Sequence, residues 1–182
     1  MMRIPKRYED LTVEQFQQLE YLKAEKLDKL DMACKRLSIL TGKSIDYIES
    51  LSPKKVYDLL LDAVFLIHPI VQFPIKKSVR FGLHKFKYIE HIHQYTTAQQ
   101  KDFTTILKNN GNDYIKCLPE LMAICHHELT LKGWLYNSDN HFRNVELFKK
   151  SKLKDSLGAV FFYSNCLKNY KRGIEVCSLA AS

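Results

Sequence analysis

Apolar residues recur at three- and four-residue steps over most of this chain, a spacing that predicts helices. Val13, Phe16 and Leu19 share one face of a first helix. Thr12 stands before it as N-cap and Gln15 at the third helical position. Together they form a capping box, which satisfies two orphan N–H groups reciprocally. A second helix over about 27–40 carries Leu30, Ala33, Cys34, Leu37 and Leu40 as its stripe, and Gly42 ends it in the left-handed conformation. Ser44 caps a short helix over 45–50. Ser52-Pro53 opens the next, with Ser at the N-cap and Pro at the first helical position. Its buried face is Val56, Leu59, Leu60, Ala63, Val64 and Ile67, and His68-Pro69 stops it.

The period then changes to two. The stretch 73–95, FPIKKSVRFGLHKFKYIEHIHQY, reads as a basic β-hairpin. Ile75, Val79 and Phe81 fall on one face and Lys76 and Arg80 on the other. Gly82 lies near the turn, and Phe86 and Tyr88 alternate with Lys85 and Lys87. Helical spacing returns after it. Thr97 reads as an N-cap with Gln100 at the third position, and the helix runs through Phe103, Ile106 and Leu107 to the turn Asn109-Asn110-Gly111. The next helix begins at Asp113 or later, near Pro119, and carries Ile115, Leu118, Met122 and Cys125, with His126-His127-Glu128 at its end. Residues 134–140 read as a loop. Helices are expected over about 144–150 and 155–169, then a last helix or a frayed tail.

These elements predict a mostly α protein: a helical bundle with one β-hairpin as a minor α+β feature. A helical segment 1–72, the hairpin 73–95 and a helical segment 96–182 are expected to form one compact domain. Sliding the chain by 85 residues lays Thr12 on Thr97, Gln15 on Gln100, Leu37 on Met122 and Ile39 on Ile124. Two related helical hairpins are therefore one reading, by duplication. Chance likeness of two capped helix pairs is the other.

Length and composition set the class. The chain has 182 residues, enough to bury a core, and its 46% apolar and 26% charged content is globular rather than disordered. No apolar run approaches the ~20 residues that span a bilayer, so no membrane partner is expected. MMRIPKRYEDL lacks the apolar h-region of a secretory signal. Cys34, Cys117, Cys125, Cys166 and Cys177 are odd in number and irregular in spacing, and read as free thiols in a reducing compartment.

Charge is uneven. Residues 1–67 balance, with 11 basic and 11 acidic groups, whereas residues 68–101 carry six basic groups against Glu90 alone. Residues 141–182 carry eight basic groups against three acidic ones. Such an excess suits nucleic acid, an acidic protein surface, or simple solvation. Phe73, Phe81, Phe86, Tyr88 and Tyr95 interleave with the lysines of the hairpin. That mixture can stack bases and contact phosphates, and it is equally what a hairpin with one face packed on helices looks like. The second explanation needs no ligand and is preferred.

Candidate chemistry adds little. His91 and His93 share a face if extended, and His126, His127 and Glu128 lie together. There is, however, no HExxH and no cysteine pair at ligand spacing. There is no G-x-S-x-G, and the six glycines form no phosphate loop. Acid pairs such as Asp28 with Asp31 and Asp58 with Asp62 read as solvated helix faces. No enzyme, catalytic residue, metal or cofactor is expected.

The order IPKRYEDLTVEQFQQLE, LDMACKRLSILTGKSIDYIESLS, HKFKYIEHIHQYTTAQQKDF, LPELMAICHHE and DSLGAVFFYSNCL resembles small proteins of tailed bacteriophages of gut bacteria, crAss-like phages and their relatives. The resemblance spans most of the chain in helix-start and packing patterns and carries over no functional residue. It implies a non-enzymatic structural subunit of the virion in the portal–tail (neck, connector or tail) assembly, made in the host cytoplasm. Its partners would be portal, ring, neck or tail proteins and further copies of itself. The alternatives are a tail assembly chaperone absent from the mature virion and a nucleic-acid-binding phage protein. Partner contacts are expected at Lys76, Lys77, Arg80, Lys85 and Lys87 of the hairpin and at Lys168, Lys171 and Arg172 of the tail.

Overall fold

A computed structural model describes residues 2–67, 75–89, 94–131, 133–136, 138–155 and 157–160. Four helices come first: α1 Val13–Leu22, α2 Lys29–Thr41, α3 Ile45–Glu49 and α4 Pro53–Asp62. Strands β1 Ser78–Phe81 and β2 His84–Tyr88 follow, then helices α5 Thr97–Asn109 and α6 Leu118–Ile124. Strands β3 His126–Thr130 and β4 Gly133–Leu135 and helix α7 His141–Lys149 complete the named elements. Residues 153–155 and 157–160 are helical as well.

The helix starts obey local chemistry. Thr12 accepts from the Gln15 N–H and Gln15 Oε1 accepts from the Thr12 N–H, the capping box in full. Asp28, Ser44 and Ser52 cap α2, α3 and α4 through their side chains, and Gly42 closes α2 at φ 67°. Helix α5 starts one residue before the expected place. Its box is Thr96 with Gln99, not Thr97 with Gln100. Both pairs have the right spacing. Only Thr96–Gln99 turns the glutamine into the core, where Gln99 is fully buried. Between α5 and α6, Asp113 accepts from the Ile115 and Lys116 N–H groups in a turn, and the helix begins at Leu118 with Pro119 in its first turn.

The expected helical bundle with a single hairpin is overturned by the sheet. It has four antiparallel strands in the order β1-β2-β3-β4. β3 occupies the stretch read as a helix end, and β4 lies in the stretch read as a loop. The picture of two helical hairpins fails with it, because α6 passes directly into β3 and packs closely on α7. Alternation hid β3. Its buried positions are His126 and Glu128, whereas Leu129 points to solvent, so the polar-apolar pattern runs opposite to the usual rule.

Helix α6 lies at the centre. Leu118, Pro119, Leu121, Met122, Ala123 and Ile124 are all buried, the signature of a helix enclosed on every side. It touches α1, α5, α7 and β3. Phe148 of α7 closes the inner face of the sheet, with ring centroids 5.2 Å from Phe81, 5.2 Å from Phe86 and 5.0 Å from His126. The chain also returns to its start. Val13 N–H donates to Ser151 O and Leu153 N–H to Leu11 O, an isolated antiparallel bridge at Thr12 and Lys152. A second, smaller core of Cys34, Leu37, Ile48, Val56 and Leu59 lies between α2, α3 and α4. Leu60 is only half-buried, and Leu30 and Val64, both expected on buried stripes, are exposed. Cys34, Cys117 and Cys125 are free and buried. Among the described residues no helix is long and apolar enough to cross a membrane.

Candidate partner-docking surface

The sheet sorts the mixed hairpin sequence into two faces. Register pairs Val79 with Phe86, Phe86 with Glu128, Tyr88 with His126 and Glu128 with Leu135. Directly opposed residues share a face, so Val79, Phe86, Tyr88, His126 and Glu128 point inward. The other set, Arg80 with Lys85, Lys87 with His127 and Leu129 with Trp134, points outward.

Arg80, Lys85 and Lys87 are therefore exposed on one surface, with Leu129 and the half-buried Trp134 beside them. No carboxylate lies on that face among the described strand residues; the strands' one acid, Glu128, points the other way. Lys85 Nζ sits 5.7 Å from the Trp134 ring centroid, a cation–π contact across the outer face. A hollow of about 260 Å³ opens beside it, lined by Lys87, Tyr88, Ile89, Gln94, His127 and Trp134. Burial, and to a lesser extent the Lys87 charge, hold the His127 imidazole below its ordinary pKa. His127 Nε2 donates to Gln99 Oε1 at 3.2 Å, which assigns the Nε2–H tautomer.

The inner face carries a second polar group. Glu128, 7% exposed, accepts from His84 Nδ1 at 2.8 Å and from Arg143 Nη2 of α7. Arg143 also donates to Asn144 Oδ1. A buried carboxylate held by an imidazole and a guanidinium pins α7 to the sheet, which is a structural role. His126 is buried beside it. Its Nδ1 donates to Met122 O at 2.7 Å, and burial pulls its pKa down to about 4, so it stays neutral.

Of the eight residues expected to contact a partner, the sheet brings Arg80, Lys85 and Lys87 together. Lys76 instead bonds Asp155 at 2.6 Å near the C-terminal helix, and Lys77 lies exposed just before β1. Lys168, Lys171 and Arg172 lie outside the described residues, as do His91 and His93. Trp134, His127 and Leu129 were not foreseen as surface partners, because β3 and β4 were not read as strands. The signal was present in Thr130-Leu131-Lys132-Gly133-Trp134, a turn with glycine at its close. Phe81, Phe86 and Tyr88, which made nucleic acid conceivable, all face the core. No group of three or more His, Cys, Asp or Glu residues could hold a metal among the described residues.

No known family, no curated protein and no solved structure matches this chain.

Proposed function

We propose that this chain is a non-enzymatic structural subunit of a tailed-phage virion, which docks through the outer face of its sheet on an acidic protein surface of the portal–tail assembly. One observation carries the docking: Arg80, Lys85 and Lys87 stand together on a face with Leu129 and Trp134 and without a carboxylate among its strand residues. Paired charge at a rim steers encounter and suppresses wrong partners, and an aromatic with its stem buried supplies contact area at low entropic cost. The virion assignment rests on the sequence resemblance alone. A protein partner is favoured over single-stranded nucleic acid because, among the described strand residues, only one aromatic, Trp134, lies on this face to stack a base.

The test is replacement of Arg80, Lys85 and Lys87 together by Glu. The variant folds, with an unchanged far-UV spectrum, and is absent from purified particles. Incorporation at the normal level overturns the docking surface. Mass spectrometry of wild-type virions addresses the assignment separately: the chain is present if it is a virion subunit, and absent if it is an assembly chaperone.

A further inference from the structure

Two apolar features remain unused, one convex and one concave. The β1–β2 turn is Gly82-Leu83, and Gly82 at φ +58° opens it in the pattern of a type II′ hairpin. The second turn residue of such a hairpin favours small polar side chains, yet it is Leu83, 95% exposed. Leu131 occupies the β3–β4 turn and is fully exposed. In an antiparallel meander both turns lie at the same end of the sheet, two strand spacings apart, about 10 Å. Phe142, 85% exposed, adjoins Arg143, and Leu83 adjoins His84; Arg143 and His84 bond the same Glu128 carboxylate. Leu83 and Leu131 thus project from one end of the sheet, and Phe142 is exposed on α7, whose Arg143 shares the buried Glu128 carboxylate with His84. Arg80 and Lys85, exposed beside the first turn, make that end cationic.

The concave feature is a groove of about 560 Å³ on α2, α3 and α4, floored by Cys34, Ile48 and Leu51 and walled by Leu30, Tyr57 and Leu60. Its charged lining is Asp31 and Glu49 against Lys29. Leu30 and Tyr57 are both mostly exposed, so nothing in the described chain covers the groove. Convex and concave features lie on different elements, and among the described residues the exposed tips do not fill the groove of their own molecule.

We infer that a second copy of this chain fills the groove: Leu83, Leu131 and Phe142 of one molecule insert among Leu30, Tyr57 and Leu60 of the next, with Arg80 and Lys85 facing Asp31 and Glu49. Apolarity and opposite charge match. The contact is heterologous, so it propagates from molecule to molecule and closes only as a ring. It goes beyond the docking of an acidic partner on the sheet face, with which it shares Arg80 and Lys85, and the two are told apart because the tip and groove variants below leave Arg80, Lys85 and Lys87 unchanged.

Sedimentation velocity of the full chain tests this. Wild-type mass exceeds 21.4 kDa and grows with concentration. A tip variant, Leu83→Asn with Phe142→Glu, stays at the monomer mass throughout. So does a groove variant, Leu30→Asp with Tyr57→Glu. Asn suits the turn position, the acids at 30 and 142 fall in the first turn of their helices, and Tyr57 is exposed on its helix, so both variants keep the wild-type far-UV spectrum and melting temperature. Mixing the two variants restores a dimer and nothing larger, because each retains one intact half. A wild type that remains monomeric overturns the proposal and leaves the groove to a different partner. A groove variant that still associates overturns it in favour of tip-to-tip pairing, and so does a mixture that stays monomeric.

Discussion

Two capping boxes in this protein do the same local work in different surroundings. In each, a threonine at the N-cap exchanges hydrogen bonds with a glutamine at the third helical position. In each, the glutamine amide then reaches the carbonyl end of the following helix. Gln15 Nε2 donates to Ile39 O at 3.0 Å and Leu40 O at 3.2 Å. Gln99 Nε2 donates to Ile124 O at 2.9 Å. Thr12 matches Thr96, Gln15 matches Gln99 and Leu40 matches Ile124, a slide of 84 rather than 85. The difference is depth. Gln15 is half-buried beside α2, whereas Gln99 is fully enclosed between α5, α6 and the start of β3, where it also takes the His127 donor. One hydrogen-bonded device thus serves as a helix clamp at the surface and as a keystone in the core. A buried amide without water has no substitute partner, so the same bonds should matter more at Gln99.

The largest expected effect breaks the deeper clamp. Gln99→Ala removes bonds to Thr96 N, Ile124 O and His127 and leaves a cavity, costing about 3–4 kcal/mol in urea unfolding. Gln15→Ala should cost about half as much, ~1–2 kcal/mol, since water can reach its partners. Equal costs would show that depth does not decide between them.

Acid should separate the two clamps next, because only the deeper one adjoins histidines. His126, with a folded pKa of about 4 against 6.5 when unfolded, binds its proton first in the unfolded chain. Its contribution is complete above pH 6.5 and is lost as pH falls towards 4, by up to about 3 kcal/mol. His127, also shifted downward, acts in the same direction. The urea midpoint therefore drops over that window. His126→Asn, whose amide can replace the Nδ1 donor to Met122 O, flattens the drop. An unchanged slope would rule out the buried imidazole as its source.

The smallest effect sharpens the register of the second box. Thr96→Ala should lower stability by about 1 kcal/mol, as loss of a capping side chain does, while Thr97→Ala should be close to neutral. The reverse result would restore the Thr97–Gln100 box read from spacing alone.

The legibility of the chain follows the range of the interactions involved. Thr12, Ser44, Ser52 and Gly42 act within a few residues of themselves, so capping chemistry located their helices. Gly82, with alternation on either side, located the first hairpin. β3 was illegible because its own core-facing residues are polar. His126 and Glu128 are tolerated inside only since Met122 O, His84 and Arg143, remote in sequence, meet them there. The outer surface inherited that difficulty: Lys85 and Lys87 could be nominated from charge, whereas Trp134 joined them only once β4 paired with β3.

By itself, then, the sequence determined where most helices begin, where the first hairpin turns and which stretches carry excess positive charge, because caps, turns and periodicity are satisfied by near neighbours. Tertiary structure alone decided between Thr96–Gln99 and Thr97–Gln100, converted a histidine-rich helix end into a strand, and separated aromatics from lysines onto opposite faces. Those outcomes depend on which distant carbonyl, carboxylate or ring is available to pay for burying a polar group, and spacing along the chain does not encode that.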